Sequence, residues 1–260
     1  MSPLLARLRA TWTAAIVFGY VWTVGTLFVL HAWLTGRIGP LYRIGWGGAR
    51  LGLWLAGIRL EVRGLENLPR GRACVYMANH QSNVDPPLLF VVLPPRIALI
   101  GKEQVFRIPV LGTALALADF VPINRFDPEA ARAAVEAALE RLQRGVSFLV
   151  FPEGTRSPDG RLQRFKHGVF AMALRAGAPI VPITLEGADR VMRKGKWEVY
   201  PGTVRVTIHP AVETAQRALH ERARLAREVQ GIIASALPPG QRPAPAKLSP
   251  ALPPSTTSSG

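Results

Sequence analysis

The 260-residue chain has little cysteine and little acid. Cys74 is its one cysteine, which excludes an intrachain disulfide and a thiolate metal cluster. The chain has 32 Lys and Arg residues against 17 Asp and Glu, yet only 19% of its residues are charged and 48% are hydrophobic. A soluble domain of this size usually carries more charge. The combination favours a membrane leaflet over nucleic acid as the partner, because nucleic-acid binders are usually richer in lysine and polar residues.

Charge is also absent from a long stretch near the N-terminus. No Asp, Glu, Lys or Arg occurs from Ala10 to Gly36, and no acid precedes Glu61. About 20 apolar residues suffice to cross a bilayer, and the run lacks a convincing signal cleavage site. Apolar residues recur near helical spacing from Pro40 to Ile58, although five glycines weaken this helix. We predict membrane-anchoring helices over residues 1–58, and both a single span and a helix pair dipping into the cytoplasmic leaflet stay open.

Residues 59–237 alternate strand-like and helix-like segments. This alternation predicts an α/β domain with a central mixed or largely parallel sheet covered by helices. Asp127-Pro128 is a good helix start, and a last helix is predicted over Ala215–Ala236. From Pro238 onward Pro, Ser, Thr and Ala dominate, which predicts a disordered tail over residues 238–260. The strand candidates are Leu60–Arg63, Ala73–Met77, Ile97–Ile100, Phe120–Ile123, Ser147–Phe151, Ile180–Thr184 and Val204–Ile208.

His80 and Asp85 lie just after the predicted strand Ala73–Met77. Open α/β sheets place their sites at this end of a strand. Asp85 precedes Pro86-Pro87, which predicts a helix N-cap. If the loop folds back, the carboxylate accepts a hydrogen bond from one imidazole nitrogen and leaves the other to take a proton from an alcohol. The alternative, a capping Asp85 beside a surface His80, is not excluded by this spacing alone.

A second polar block, Phe151-Pro152-Glu153-Gly154-Thr155-Arg156-Ser157, follows the predicted strand Ser147–Phe151. Gly154 permits close approach of the backbone, Thr155 offers a hydroxyl, and Arg156 offers a planar fork for phosphate. Glu153 can fix Arg156 or bind a glycerol hydroxyl. Taken by itself, the block is better explained as an ordinary polar turn.

The two blocks together resemble the glycerolipid acyltransferase family, which is typified by bacterial 1-acyl-sn-glycerol-3-phosphate acyltransferases. Asn-His-x4-Asp is followed some seventy residues later by Phe-Pro-Glu-Gly-Thr-Arg-Ser. The resemblance covers roughly residues 60–210, and one departure is Asn124, where relatives often carry Asp. Four further segments occur in the family's order: Lys102-Glu103, Val121-Pro122-Ile123-Asn124-Arg125, Phe165-Lys166-His167-Gly168 and Val181-Pro182-Ile183.

The resemblance implies a glycerol-3-phosphate acyltransferase-like fold and direct acyl transfer. His80 would deprotonate the free hydroxyl of 1-acyl-glycerol-3-phosphate while Asp85 holds its imidazole. The alkoxide would attack the thioester of an acyl-CoA or an acyl carrier protein, giving phosphatidic acid for phospholipid biosynthesis. The implied substrate-binding residues are Arg125, Glu153, Gly154, Thr155 and Arg156, with Lys102 or Lys166 nearby.

No metal and no cofactor are expected, apart from the acyl donor as a substrate. The other histidines do not cluster with carboxylates at metal-ligand spacing; they are His31, His167, His209 and His220. The expected location is the inner membrane, with the catalytic domain on the cytoplasmic side and membrane lipids as partners.

Three alternatives stay open. The first is an acyltransferase with another lysolipid as acceptor. The second is a hydrolase, which would need its own nucleophile; no Gly-x-Ser-x-Gly elbow occurs, and Ser82 is a poor candidate. The third is a non-catalytic membrane-binding protein, which would leave the blocks at His80 and Glu153 unexplained. A basic cluster before Trp197 (Arg190, Arg193, Lys194 and Lys196) fits a headgroup layer, a carrier's phosphates or plain solvent.

Overall fold

A computed structural model describes residues 1–94, 96–124 and 126–243. Each of the seven predicted strands is present, with its ends shifted by one or two residues. The strands are β1 (Ile58–Arg63), β2 (Val75–Ala78), β3 (Ile97–Lys102), β4 (Val121–Ile123), β5 (Ser147–Val150), β6 (Ile180–Glu186) and β7 (Gly202–Ile208). They form one sheet in the order β1-β7-β6-β2-β5-β3-β4. All neighbours are parallel except β6 and β7, which confirms the predicted mixed, largely parallel sheet.

The helices are α1 (Pro3–Tyr20), α2 (Thr26–Thr35), α3 (Gly39–Leu55), α4 (Asp85–Val92), α5 (Glu103–Phe106), α6 (Leu111–Leu117), α7 (Pro128–Gln143), α8 (Gly168–Ala176), α9 (Ala188–Val191) and α10 (Arg222–Ser235). Asp127 caps α7 as predicted, since its carboxylate accepts the N–H groups of Glu129 and Ala130. The last helix begins later than predicted, because the chain before Arg222 makes a short 3-10 turn at Leu219–Glu221.

Helices cover both faces of the sheet. On one face Val75 and Met77 pack with α7, α8 and α10. On the other face Tyr76 and Ala78 pack with α3 and α4. Strands buried on both sides need apolar residues at every position, which is why β2 reads as a continuous apolar run. Because β6, β2, β5, β3 and β4 run parallel, their carboxyl ends lie along the same side of the sheet. Open α/β folds hold their sites at these strand ends.

The N-terminal helices form a hairpin. A π-helical turn (Val21–Gly25) joins α1 and α2 into one helix, Pro3–Thr35, which is long and apolar enough to cross a membrane and is mostly exposed. The chain turns at Gly36 and returns as α3, so the glycines of α3 do not prevent a helix. They allow close packing: a Cβ at Gly48 would lie 2.8 Å from Cε1 of Tyr20.

The C-terminal segment follows the domain beyond the predicted boundary. Leu237 is buried, Pro239–Gln241 forms a 3-10 turn, and the carbonyl of Gln241 accepts the N–H of Leu162 at 2.8 Å. The predicted start of the tail at Pro238 is therefore wrong, because backbone and side-chain hydrogen bonds hold this stretch. Residues 244–260 lie outside the described residues.

Candidate active site

His80 and Asp85 form a buried hydrogen-bonded pair beyond the carboxyl end of β2. Nδ1 of His80 lies 2.8 Å from Oδ2 of Asp85, and Asp85 is fully buried. The same oxygen accepts the N–H groups of Gln81 and Ser82, each at 2.7 Å. Because a carboxylate only accepts hydrogen bonds, the imidazole proton belongs on Nδ1. Nε2 of His80 is then left as a base.

The predicted N-cap role of Asp85 is wrong. Asp85 is the first residue of α4, and Val84 occupies the cap position. Pro86 and Pro87 follow, and proline has no N–H for a capping side chain to bind. The carboxylate turns back to the loop at His80 instead, while its charge still lies at the favourable end of the helix dipole.

The Phe151–Ser157 block holds the main chain of His80 from both sides. Oε1 of Glu153 accepts the N–H of His80 at 2.6 Å, and the N–H of Ser157 donates to the carbonyl of His80 at 2.8 Å. The ring of Phe151 stacks on the imidazole with 4.1 Å between centroids. Two blocks about seventy residues apart in sequence thus build one structure that fixes the imidazole in place.

The carboxylate of Glu153 binds backbone N–H groups on two segments of this site. Its second oxygen, Oε2, accepts the N–H of Gln163 at 2.9 Å, so both oxygens bind main-chain donors. Neither oxygen is paired with Arg156, the partner predicted from sequence, and binding of a glycerol hydroxyl stays a prediction. Burial raises the pKa of Glu153 to about 7, and the N–H groups of His80 and Gln163 act in the opposite direction.

This shift predicts a pH-dependent stability. The pKa of Glu153 rises on folding from 4.5 to about 7, so the folded chain binds the proton more tightly than the unfolded chain. The resulting stabilisation is full below pH 4.5 and is lost as the pH rises to 7. Relative to Glu153→Gln, which does not titrate, the wild-type free energy of unfolding should fall by about 2 kcal/mol between pH 5 and pH 7. Urea unfolding in detergent at both pH values measures it.

A matched control is Glu140→Gln, which removes an exposed carboxylate on α7. Its free energy of unfolding should follow that of the wild type at both pH values. Parallel pH profiles for the wild type and Glu153→Gln would contradict the assignment.

The other predicted residues of this block lie around a tight turn. Gly154 has φ +72°, and a Cβ there would lie 2.8 Å from Cε of Lys166. The structure thus brings Lys166 over Gly154. Thr155 is exposed, and the carbonyl of Arg156 accepts a hydrogen bond from Nζ of Lys194 at 2.7 Å.

Lys102 lies farther along the same edge of the sheet. It is the exposed last residue of β3, two strands away from β2, which corresponds to about 10 Å across the sheet. Arg125 follows β4 in sequence and lies outside the described residues. The topology therefore places Lys102 at the same edge as His80 without bringing the two side chains together.

Two contacts in the loop after β2 were missed by the sequence analysis. The amide of Asn79 binds both backbone groups of Leu185, at 2.9 and 2.7 Å, and so extends the pairing of β2 with β6. The hydroxyl of Ser82 is buried and donates to the carbonyl of Met192 at 2.7 Å. This bond argues against Ser82 as the nucleophile of a hydrolase. The residue types in the motif give no signal for either contact, because both depend on β6 and the chain after it.

Comparison with known proteins finds relatives for the part of the chain that carries the site. The sequence profile of the acyltransferase family matches residues 59–186. A 1-acyl-sn-glycerol-3-phosphate acyltransferase of Limnanthes alba is 33% identical over 80% of this chain and 73% of that protein. The chain belongs to this acyltransferase family. The resemblance drawn from the two polar blocks and the four further segments is confirmed.

Other members of the acyltransferase family agree in sequence and in fold. The Pseudomonas aeruginosa 1-acyl-sn-glycerol-3-phosphate acyltransferase is 39% identical over 63% of this chain and 64% of that protein. The crystal structure of the 1-acyl-sn-glycerophosphate acyltransferase from Thermotoga maritima matches with a TM-score of 0.76 and 28% identity, covering 89% of this chain and 92% of that chain. The chain spans about half the length of a chloroplast relative from Brassica napus, 49% of that protein.

Proposed function

We propose that this protein transfers a fatty acyl group from acyl-CoA or acyl carrier protein to the free hydroxyl of 1-acyl-glycerol-3-phosphate, giving phosphatidic acid. The observation that carries the proposal is the buried bond of 2.8 Å between Nδ1 of His80 and Oδ2 of Asp85, which leaves Nε2 as a base. The family membership supports the choice of acceptor, because its members are named for that substrate.

The proposed reaction needs one base and one thioester. Nε2 of His80 takes the proton of the acceptor hydroxyl while the oxygen forms a bond to the thioester carbonyl carbon. The carbon–sulfur bond then breaks, and the leaving thiolate takes the proton from the imidazolium. Asp85 holds the ring and balances its transient positive charge. The thioester supplies an activated acyl group, so the proposed chemistry involves no metal and no cofactor.

Cationic side chains near this edge suit a phosphate on the acceptor. We assign Arg156 to that phosphate, with Lys166 over Gly154 beside it, and keep Arg125 and Lys102 as further candidates. A guanidinium binds phosphate with two parallel charge-assisted hydrogen bonds. Glu153 and Thr155 are assigned to the turn that presents Arg156.

Arg156→Ala is therefore expected to raise the Michaelis constant for 1-acyl-glycerol-3-phosphate by roughly tenfold or more, since hydrogen bonds to charged groups contribute about 1.5–3 kcal/mol. The constant for acyl-CoA should change by less than about twofold, because the thioester does not depend on this clamp. Thiol release by the purified protein measures both constants. Arg132→Ala, which removes an exposed arginine on α7, is the control, and equal effects of Arg156→Ala on the two constants would exclude the clamp.

The same assay tests the proposed function. Purified protein in lipid vesicles is given one acyl-CoA, or one acyl carrier protein thioester, and a panel of lysolipids. Release with 1-acyl-glycerol-3-phosphate in clear excess over the others supports the proposal. Preference for another lysolipid would show that the proposed acceptor is wrong and would leave the proposed mechanism unchanged. No release with either donor and any acceptor would favour a membrane-binding protein without catalysis.

We infer further that the helix hairpin enters one leaflet of the membrane and does not form a single span. The N–H of Val199 donates to the carbonyl of Ala6, and the N–H of Gly202 donates to the carbonyl of Gly57, just after α3. The start of α1 and the end of α3 therefore both contact the catalytic domain. The outward face carries large exposed apolar side chains, Trp12, Phe18, Leu27, Trp33, Leu34 and Trp54 among them, which suit a lipid surface.

The basic cluster defined by Arg190, Arg193, Lys194 and Lys196 lies on the same side as this hairpin. Nε1 of Trp197 donates to Oγ1 of Thr11 at 3.0 Å, so the cluster adjoins the apolar helix and fits anionic headgroups. With arginines and no acid before Glu61, the domain is assigned to the cytoplasmic side of the inner membrane. Because Cys74 is buried, single cysteines at Ser2 and Arg242 can be labelled by an impermeant reagent. Labelling from opposite sides of the membrane would refute the hairpin.

A further inference from the structure

The segment after α10 returns to the active site. Gln241 sits in the 3-10 turn Pro239–Gln241, and its carbonyl accepts the N–H of Leu162. Leu162 belongs to the loop that continues from the Phe151–Ser157 block. The last described part of the chain is thereby tied to the loop whose first half holds the main chain of His80.

The side chain of Gln241 lies between two other loops of the site. Its Oε1 accepts a hydrogen bond from Nε2 of Gln81 at 3.2 Å. Its Nε2 donates to the carboxylate of Asp189, 3.4 Å from either oxygen. The second amide hydrogen of Gln81 goes to the carbonyl of Gly160 at 3.1 Å. One amide thus links the loop after β2 to the helix α9, which follows β6, with the loop after β5 alongside.

Gln81 is the residue directly after His80. Its side chain is buried, with 3% of the residue exposed, and its backbone N–H donates to Oδ2 of Asp85. A rotation of this peptide would change both that bond and the direction of the imidazole. Whatever fixes the side chain of Gln81 therefore fixes the pair His80–Asp85.

We infer that Gln241 is a positioning residue that acts through Gln81 on the catalytic pair. The inference rests on the proposed function of His80, and it assigns a role in catalysis to a segment outside residues 60–210, which carry the family resemblance. A positioning role lowers turnover without weakening substrate binding, because the reacting atoms are misaligned while the substrate contacts remain. A misplacement of about 1 Å costs up to roughly 10²-fold in rate.

The test exchanges the charges of the contact between Gln241 and Asp189. Gln241→Glu keeps an oxygen that accepts from Gln81 but places a carboxylate next to that of Asp189, so the two negative charges repel each other. The double variant Gln241→Glu/Asp189→Asn restores a donor opposite an acceptor with the same total charge. Arg242→Ala is the control, since the side chain of this exposed neighbour bonds only the carbonyl of Leu237 among the described residues.

Two readouts are compared in the full-length protein. Gln241→Glu should lower kcat roughly fivefold to twentyfold, with both Michaelis constants within about twofold, and the double variant should recover most of the loss. Hydrogen exchange of peptides covering residues 79–85 should speed up in Gln241→Glu and return in the double variant, because the N–H groups of Gln81 and Ser82 bond Asp85.

The outcomes separate the two hypotheses. Unchanged kcat and unchanged exchange in Gln241→Glu would overturn the positioning role. Higher Michaelis constants with normal kcat would overturn it as well, because they indicate substrate binding. If the wild type transfers no acyl group to any acceptor, the proposed function fails, and the exchange data still decide whether Gln241 holds the loop at His80.

Discussion

His80→Ala is expected to lower the rate of acyl transfer by ~10²–10⁴-fold, the usual contribution of a general base. In the proposed mechanism the imidazole takes the hydroxyl proton, and no other side chain is assigned to that step. The backbone of residue 80 should stay in place, because Glu153 and Ser157 bond its N–H and carbonyl and not its ring. Thiol release with saturating acyl-CoA and 1-acyl-glycerol-3-phosphate measures the rate.

The control for this variant is His220→Ala, which removes an exposed histidine in the 3-10 turn Leu219–Glu221. Its activity should remain within about twofold of the wild type, in line with surface substitutions generally. Membrane association and hydrogen exchange should be unchanged in both variants. Near-wild-type turnover of His80→Ala would show that the proposed mechanism is wrong.

Asp85→Asn should produce the second-largest loss, on the order of 10²–10³-fold in kcat. The oxygen of asparagine can occupy the position of Oδ2 and accept the same three hydrogen bonds. Its amide takes the place of Oδ1, which has no hydrogen-bond partner among the residues described. The loop therefore survives, but a neutral amide no longer balances the imidazolium charge. In the serine protease triad the same change costs about 10⁴-fold.

Asp127→Asn is a matched control for Asp85→Asn. Asp127 also accepts two backbone N–H groups, as the cap of α7, and asparagine is as good a cap as aspartate. The control should retain full activity and stability. If Asp85→Asn behaved like Asp127→Asn, the charge of Asp85 would have no role in catalysis.

The strands could be predicted from sequence, but their order could not. The central strands β2 and β6 are apolar runs, since helices cover both faces of the sheet there, whereas β1 and β7 alternate apolar and polar residues. Both patterns are visible in one sequence. The placement of β7 between β6 and β1, antiparallel to β6 and parallel to β1, depends on long-range packing. The helix α3 was underestimated for a related reason. A glycine such as Gly48 lowers helix propensity locally, and the contact with Tyr20 that compensates for it comes from another helix.

The contact between His80 and Asp85 could be predicted from their residue types and spacing, while their role in catalysis stays a prediction. The supporting contacts of His80 could not be predicted, because their partners are backbone atoms: Glu153 binds two N–H groups, and the amide of Asn79 binds the backbone of Leu185. The composition of the C-terminal segment predicted disorder, yet Gln241 is bonded to two loops and to α9. A single polar side chain in a proline-rich stretch gives no signal of such contacts in one sequence.

The pairing of β1 with β7 has a consequence for the biosynthesis of the protein. Ile58 pairs with Gly202, so this edge of the sheet forms only after about 140 further residues have been made. At roughly 5–20 residues per second, β1 stays without its neighbour for on the order of ten seconds, beside the apolar hairpin that was made before it. An unpaired strand edge is prone to aggregation. Defects in this pairing should therefore reduce how much folded protein a cell accumulates, while each molecule that does fold turns over normally.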